Sequence, residues 1–400
     1  MSQKRREVYL QDEAVYKLVK ELLEEFLPIP DQGKDYTASE LYDVLLAAAS
    51  QDTSVDNICH SSEIGPSANT VRVRVQQAYD LREVEKRINQ ALAEKIPRKL
   101  FRRGQRVAID LVLTPYYGKE TEETAPDLVR GERRQGTTRF HAYATAYVIL
   151  NGERFTLALS FVQAEDRLPQ VLGRLRQRVR QIGIKTKLLL LDRAFFTVEI
   201  IDDLQRDRQP FIIPVIVRGK LVPPGGTRVL VVKPSSQWTR YTMKSASGQT
   251  VTFEVAVAAQ NGAAHRSRSG QRWKKGRQVR AYAVFGLRSH PLAIAQIYRR
   301  RFGIESSYRQ MHQGRARTSG SRAVFRLWLV GIAVVLRNLW IWIRFQVTAL
   351  PRRGRRLLPK DRFTFQWMLR WIARLANECL GFLFRLRVFY PLPSELTEVL

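Results

Sequence analysis

The stretch IYRRRFGIESSYRQMH, residues 297–312, combines side chains that can hold phosphate with a single carboxylate. On an α-helix each residue turns by about 100°, which places four of these side chains in a band about 60° wide: Tyr298, Arg301, Glu305 and His312. Tyrosine and arginine on such a face can hold a phosphate that a glutamate addresses through a metal ion. The alternative is an ion pair of Glu305 with Arg301 or Arg309, which contributes a few tenths of a kcal/mol.

Two aspartates stand where a strand pattern is otherwise apolar. Asp110 lies inside RVAIDLVLT and Asp192 ends KLLLLD. Burying a carboxylate without a partner is costly, so each of these positions needs a reason. Carboxylates at adjacent strand positions can share divalent cations, and two ions about 3.5–4 Å apart can activate a water or a 3′-hydroxyl. The pattern therefore favours a metal site that joins Asp110, Asp192 and Glu305.

The donor set indicates which metal such a site would take. Mg²⁺ prefers oxygen ligands and keeps several waters, so we expect two Mg²⁺ or Mn²⁺ ions. The two cysteines, Cys59 and Cys379, lie far apart in the sequence and predict neither a disulfide framework nor a cysteine zinc site. Three nearby acids are interpreted as helix caps or exposed helix residues: Asp166, Asp202 and Asp203.

The elements that would position the two aspartates occupy residues 105–217. They follow the order strand, hairpin pair, helix, strand, helix, strand, and Asn151-Gly152 is typical of a two-residue hairpin turn. The apolar runs after each helix predict parallel strands, whereas the first three strands are predicted to be antiparallel. The sequence thus predicts an α/β fold with a mixed sheet flanked by helices.

Residues 218–288 are predicted to form a β-rich insertion. Its four strand patterns are TRVLVVK, TRYTMKS, TVTFEVAVA and QVRAYAVFG. The basic loop before the last strand contains Trp273, Lys274 and Lys275, which are candidate DNA contacts. Stacking of Trp273 on an unpaired base would contribute about 1–3 kcal/mol; a packed surface aromatic is the alternative.

Helical patterns return at Pro291, a favourable first-turn residue, and the first of them is predicted to continue through Glu305. Residues 289–348 would complete the core, and 349–400 would form a C-terminal helical region after an exposed linker at 351–362. Three further helices are predicted: 322–348, 362–376 and 377–386. Arginines interrupt the apolar segment 323–347. Its longest run without a charged residue is too short to span a bilayer, so a buried core helix is predicted.

Residues 1–98 are predicted to form a helical domain. TASELYDVLLAAAS starts with Thr37 or Ser39 as a possible cap, and a second helix opens at Ser67 or Asn69 after the Gly65-Pro66 break. A short helix, a break and a second helix are typical of a helix-turn-helix DNA-binding module. A small three-helix bundle gives the same pattern and remains the alternative.

The formal net charge of +30 is spread along all 400 residues. Such an excess repels itself unless an anion is bound, and arginine and lysine contacts to phosphate dominate nucleic-acid binding. An anionic membrane surface is the second candidate partner. The N-terminal stretch lacks the apolar core of a signal peptide, so we expect an intracellular, cytoplasmic protein associated with the nucleoid.

Three blocks in order, AIDLVLTPYYG, LLLLDRAFF and YRRRFGIE, resemble the DDE transposases of prokaryotic insertion sequences. Tyr298, Arg301 and Glu305 match the Tyr-x2-Arg-x3-Glu signature of that family, and the resemblance covers about 105–345. Where the family usually has a lysine seven residues after the glutamate, this chain has His312.

The resemblance implies a ribonuclease-H-like core with Asp110 on the first strand, Asp192 on the fourth and Glu305 on the helix after the sheet. It also implies Mg²⁺-dependent cleavage at terminal inverted repeats of double-stranded DNA and transfer of the 3′-hydroxyl ends to target DNA. Tyr298 and Arg301 would hold the strand end, and pairing of two ends implies a homodimer in the DNA complex.

Three other functions remain open on the sequence. The first is a catalytically inactive DNA-binding regulator derived from a transposase. The second is another ribonuclease-H-like nuclease, because a fold does not fix a substrate. The third, suggested by the apolar segment 323–347, is a membrane-associated basic protein.

Overall fold

The computed structural model describes residues 9–31, 35–150, 152–220, 225–232, 235–260, 264–266, 272–274, 278–302, 313–348, 350–352, 355–357 and 362–382. Its helices are α1 (Asp12–Phe26), α2 (Ala38–Ser50), α3 (Val55–His60), α4 (Ala68–Ala78), α5 (Leu81–Glu94), α6 (Leu168–Gln181), α7 (Val198–Arg206), α8 (Pro291–Arg299), α9 (Ala323–Ile343) and α10 (Phe365–Cys379).

The strands of the main sheet are β1 (Gln105–Pro115), β2 (Val129–Arg134), β3 (Thr137–Leu150), β4 (Glu153–Val162), β5 (Thr186–Leu191), β6 (Phe211–Pro214), β7 (Gln237–Lys244), β8 (Thr250–Gln260) and β11 (Gln278–Phe285). Two small hairpins pair β9 (Ala264–Arg266) with β10 (Arg272–Lys274), and β12 (Leu350–Arg352) with β13 (Arg355–Leu357).

The main sheet has the order β2-β3-β1-β5-β6-β11-β8-β7, with β4 also paired to β3. β1 pairs with β5, and β5 with β6, in the parallel direction, whereas the remaining neighbours are antiparallel. This arrangement confirms the predicted mixed sheet flanked by helices. The parallel pairs follow from the crossovers through α6 and α7, whose apolar faces pack on the sheet.

The strands of the predicted insertion do not form a separate layer. β6 pairs with β11, which pairs with β8 and then β7, so these strands extend the core sheet. The predicted strand TRVLVVK is wrong: Gly226–Leu230 forms a 3₁₀ turn. The Thr227 hydroxyl donates to the Ile216 carbonyl and accepts from the Arg218 amide, which ties the segment back on itself.

The N-terminal helices share a core with the C-terminal ones. α2 and α1 pack on α10, and α5 packs on α9 and on β4. Where α9 meets α5, a Cβ added to Gly331 would lie 2.4 Å from Ile88 Cδ1, which explains a glycine within a long helix. Thr37 caps α2 with Glu40 in a capping box, and Ser67 caps α4, as the sequence predicted. The domain boundaries proposed from the sequence remain predictions.

Of the helices described, Ala323–Val347 (α9 with the turn after it) is long and apolar enough to cross a membrane, with mean hydropathy 1.7, but 89% of its most apolar window is buried inside the protein. Arg337 and Arg344 are buried and bind Glu153 at 2.6 and 3.1 Å. Burial lowers the pKa of Arg337 to about 10, and Glu153 opposes this effect. The prediction of a buried core helix is confirmed.

The C-terminal predictions are confirmed in part. α10 begins at Phe365 and ends at Cys379, close to the predicted 362–376. A separate helix over 377–386 is not formed by its described residues, because 377–379 belong to α10 and a turn follows. The predicted linker contains the β12–β13 hairpin.

The outer edge of β4 is covered by side chains in place of another strand. The Thr156 amide donates to Asn338 Oδ1 (2.9 Å), and Asn338 Nδ2 donates to the Thr156 carbonyl (2.7 Å). Asn89 makes the same pair of bonds with Leu159, at 2.8 Å each. These amides satisfy backbone groups that an unpaired edge strand would expose to pairing with another chain.

Replacing Asn338 by alanine tests this edge. The change leaves the Thr156 N–H and C=O buried without partners, and each unsatisfied group costs about 1–3 kcal/mol. We expect the free energy of unfolding to fall by about 2–4 kcal/mol in chemical denaturation. Asn377→Ala, which removes an exposed bond to Gln51, is the control and should cost less than about 1 kcal/mol. Equal stabilities of the two variants would contradict the assignment.

Candidate active site at the ends of two parallel strands

The parallel pairing of β1 and β5 brings the two predicted aspartates together. Ile109 faces Leu191 in the register, so the next residues, Asp110 inside β1 and Asp192 just after β5, lie at the same level on adjacent strands. The Asp110 side chain is 15% exposed and that of Asp192 is 37% exposed. Each carboxylate accepts a hydrogen bond from the backbone amide that follows it, which fixes its orientation.

Arg301 lies between these carboxylates. Its Nη2 is 3.1 Å from Asp110 Oδ1, and its Nη1 is 3.8 Å from Asp192 Oδ1. The side chain is 4% exposed, and Nη2 also donates to the Ile109 carbonyl at 3.3 Å. Burial lowers the pKa of Arg301, but Tyr147, Tyr298 and the two carboxylates outweigh it, so the pKa lies above its usual value. The guanidinium supplies the positive charge that two neighbouring carboxylates need.

Tyr298 ties the helix α8 to the end of β5. Its hydroxyl donates to the Leu191 carbonyl at 3.0 Å and accepts from Arg301 Nη1. Its ring packs against Tyr282 with a centroid distance of 5.3 Å. Burial raises the pKa of Tyr298, so the hydroxyl stays protonated and can donate. Tyr298 therefore holds Arg301 next to the residue that precedes Asp192.

The local fold explains how Tyr298 and Arg301 meet. α8 begins at Pro291 after His290 and ends at Arg299, and residues 300–302 continue as a 3₁₀ turn. The prediction of one regular α-helix through Glu305 is therefore wrong at 300–302, and 303–305 lie outside the described residues. The two side chains nevertheless share a side, as the helical spacing predicted, because positions i and i+3 coincide in both geometries.

Several predicted site residues lie beyond what can be described. Glu305, His312 and Lys275 are outside the described residues, and of Trp273 and Lys274 the backbone alone is described, in the β9–β10 hairpin. Within the described part of the chain no group of three or more His, Cys, Asp or Glu side chains comes together. The structure thus unites Asp110, Asp192, Tyr298 and Arg301.

The acids that were set aside have structural partners. Asp166 binds Arg174 through both oxygens at 2.7 Å, and its Oδ2 accepts from the Gln163 amide. Asp202 and Asp203 both bind Arg206 on the surface of α7. Asp202 and Asp203 are residues of α7, as the sequence predicted, whereas Asp166 is neither a helix residue nor the cap of α6, because it lies in the segment between β4 and α6.

Sequence reasoning missed the row of polar side chains that β3 adds to the same face. In the antiparallel register Asp110 is opposite Thr145 and Thr114 is opposite His141, and opposed residues point to one face of a sheet. Arg154 donates to the Thr145 hydroxyl and lies 3.9 Å from the Tyr147 ring centroid. The alternation in FHAYATAY was the signal, since every second residue shares the face of Asp110.

His141 gives this face a pH dependence. It is completely buried between Tyr116 and Phe161, and burial lowers its pKa from 6.5 to about 4, with Arg326 acting in the same direction. Between these values the unfolded chain binds a proton that the folded chain does not, so stability falls as pH drops from 6.5 to 4.

We expect His141→Phe to remove this loss. Relative to the wild type, the variant should gain roughly 2 kcal/mol in free energy of unfolding when the pH is lowered from 7 to 4.5, at about 1.4 kcal/mol per pH unit. Denaturation curves at several pH values measure it. Parallel pH profiles of the two proteins would contradict the assignment.

More than half of the chain is similar to a known protein family. The profile of a family described as "Transposase DDE domain" matches residues 118–337, a range that contains Asp192, Arg301 and Glu305 and begins after Asp110. None of the curated proteins matches the sequence.

Among solved structures, the chain resembles the piggyBac transposase in its synaptic complex with hairpin DNA. The TM-score is 0.55 at 11% identity, and the match covers 95% of this chain and 82% of that chain. The likeness confirms the predicted ribonuclease-H-like fold.

Proposed function

Because the chain belongs to the family of transposases with a DDE domain, we propose that it cleaves DNA at the terminal inverted repeats of a mobile element and joins the freed 3′-hydroxyls to target DNA. The observation that carries the proposal is that Asp110 and Asp192 directly follow the last paired residues of two adjacent parallel strands, with Arg301 between them. A pair of acids at this position is not needed to stabilise the fold, because a neutral pair of similar size would do so at a lower cost in free energy.

The donor set fits a hard divalent cation. Asp110 and Asp192 offer carboxylate oxygens only, and oxygen ligands are those that Mg²⁺ and Mn²⁺ prefer. We propose that Asp110, Asp192 and Glu305 hold two Mg²⁺ ions. Bound there, the ions would activate the attacking hydroxyl and stabilise the leaving oxygen of an in-line displacement.

Glu305 can reach this site along the chain. It follows Arg301 by four residues, and four residues span at most about 14 Å, so the turn that brings Arg301 to the two aspartates permits Glu305 to approach them. The signature Tyr-x2-Arg-x3-Glu supports the same assignment. The metal-binding role of Glu305 stands as a proposal.

The residues of the chain itself prepare the site for charged substrates. Backbone amides orient the two carboxylates, and the Arg301 guanidinium lies between them and offsets their mutual repulsion. The Tyr298 hydroxyl accepts a hydrogen bond from that guanidinium and donates one to the Leu191 carbonyl. We propose that both residues act first as positioning residues, because they are 4% and 1% exposed; the contact with a DNA end that the resemblance implies remains a prediction.

The proposed partner is double-stranded DNA. The net charge of +30 supports phosphate binding, and the similar piggyBac structure is a synaptic complex with hairpin DNA. We propose that the basic segment with Trp273, Lys274 and Lys275, the helices of 1–98 and His312 contribute DNA contacts, and that two protomers pair two DNA ends. Cytoplasmic location at the nucleoid is proposed on the same basis.

A cleavage assay tests this function. The purified chain is incubated with DNA that carries both ends of the element, with Mg²⁺, with Mn²⁺ or with EDTA. We expect metal-dependent nicks at the ends and joined products with a target plasmid. Binding without cleavage would indicate a regulator derived from a transposase, and cleavage without joining would indicate another nuclease of this fold. No binding and no cleavage would contradict the proposal.

A further inference from the structure

Two arginines lie on the same side of the sheet as the aspartates, further along β1. Arg315 Nη1 donates to Thr114 Oγ1 at 3.4 Å. Thr114 follows Asp110 by four residues on β1, so the two side chains share a face. At about 3.3 Å per residue they are separated by about 13 Å, which corresponds to about four base pairs along a duplex axis at 3.4 Å each.

Neither arginine is paired with an acid in the described part of the chain. Among the described residues, Arg315 has no carboxylate within salt-bridge distance, and Arg326 binds the Gly320 carbonyl at 2.7 Å and lies 5.7 Å from the Tyr116 ring centroid. Their sequence neighbours differ, since Arg317 binds Asp52 at 2.8 Å and Arg322 binds Glu123. Acids are therefore within reach of this surface, but none of the described acids pairs with the two inner guanidiniums.

The two positive charges are also partly removed from water and close to each other. Both side chains are half-buried. Burial lowers the pKa of Arg315 and of Arg326, and Arg315 lowers that of Arg326 further by repulsion. Tyr143, which interacts electrostatically with both arginines, is 2% exposed, and its hydroxyl has no hydrogen-bond partner in the described part of the chain. Cations held in this way without an acid are costly to the protein alone.

We propose that Arg315 and Arg326 form a subsite for a backbone phosphate of the bound DNA, a few base pairs from the phosphate that reacts at Asp110 and Asp192. A phosphate would provide the anionic acceptor that neither guanidinium has among the described residues. The inference rests on the proposed function, because it takes DNA as the ligand. It assigns Arg315 as the residue that contacts the phosphate, and Arg326 as its supporting charge.

The test compares Arg315→Gln with Arg317→Gln, an exposed arginine two residues away that already has an acid partner. Binding of a 30-base-pair duplex is followed by fluorescence anisotropy in EDTA over a series of salt concentrations. Loss of one phosphate contact should weaken binding about 3- to 10-fold and reduce the slope of log K against log salt by about 1. Arg317→Gln should change affinity less than twofold, and Arg315→Lys should restore the slope.

Thermal unfolding of the same variants separates a binding role from a structural one. Because Arg315→Gln removes a half-buried charge that has no acid partner, we expect its Tm to be equal to or above that of the wild type. Unchanged DNA affinity and salt slope in Arg315→Gln, with a lower Tm, would overturn the subsite and leave the proposed function intact. A wild-type chain that does not bind the duplex would overturn the proposed function and the subsite together.

Discussion

Asp110→Asn is expected to abolish DNA cleavage while DNA binding persists. The variant keeps the shape of the side chain and its place on β1, beside Asp192. It loses a negative oxygen ligand, and metal ions contribute several kcal/mol to such displacements, which corresponds to a fall of at least about 10³-fold in cleavage rate. Single-turnover cleavage of DNA ends in Mg²⁺ measures the effect, and anisotropy on the same DNA measures binding.

Asp203→Asn provides the matched control. Asp203 lies on the surface of α7 and pairs with Arg206, so its cleavage rate should stay within about twofold of the wild type, as expected for an exposed pair. Asp192→Asn should behave like Asp110→Asn, because the two carboxylates are proposed to act on the same ions. Cleavage at the wild-type rate by Asp110→Asn would exclude its assignment.

Arg301→Met is expected to destabilise the protein strongly. It removes the guanidinium that lies between Asp110 and Asp192 and leaves the Ile109 carbonyl and the Tyr298 hydroxyl with fewer partners. Removing one member of a buried ion pair costs about 3–5 kcal/mol. Since Asp192 is 37% exposed, we expect a loss of about 2–4 kcal/mol in metal-free buffer, measured by denaturant unfolding.

Divalent metal gives this prediction a second readout. With Arg301 gone, the two carboxylates repel each other, so Mg²⁺ should raise the Tm of Arg301→Met more than that of the wild type. Arg317→Met removes an arginine from an exposed pair and should cost less than about 1 kcal/mol. If Arg301→Met were as stable as Arg317→Met and gained nothing from Mg²⁺, Arg301 would not be the counter-charge of the pair.

The sequence predicted the sheet and the two aspartates because these depend on local patterns. An acid in an apolar strand, such as Asp110, and an acid that ends one, such as Asp192, mark positions that need partners. The pairing of β3 with β4 and the caps at Thr37 and Ser67 also depend on residues that are close in the sequence. Once β1 and β5 pair in the parallel direction, the two acids lie next to each other.

What the sequence did not predict depends on contacts between distant segments. The contacts of Arg301 with the Ile109 carbonyl and Asp110 were not predicted, because these residues precede it by more than one hundred positions in the chain. Apolar alternation in TVTFEVAVA predicted a strand but not its place in the core sheet. The strand predicted at TRVLVVK failed because Thr227 bonds to Ile216 and Arg218.

The most direct test of the central claim is a crystal structure of the chain with DNA and Mn²⁺, with the ions located by anomalous scattering. We predict anomalous peaks about 2.0–2.3 Å from carboxylate oxygens of Asp110 and Asp192, with the Glu305 carboxylate bound to the same ions. Peaks at other residues, with Glu305 turned to a different surface, would contradict the proposed site.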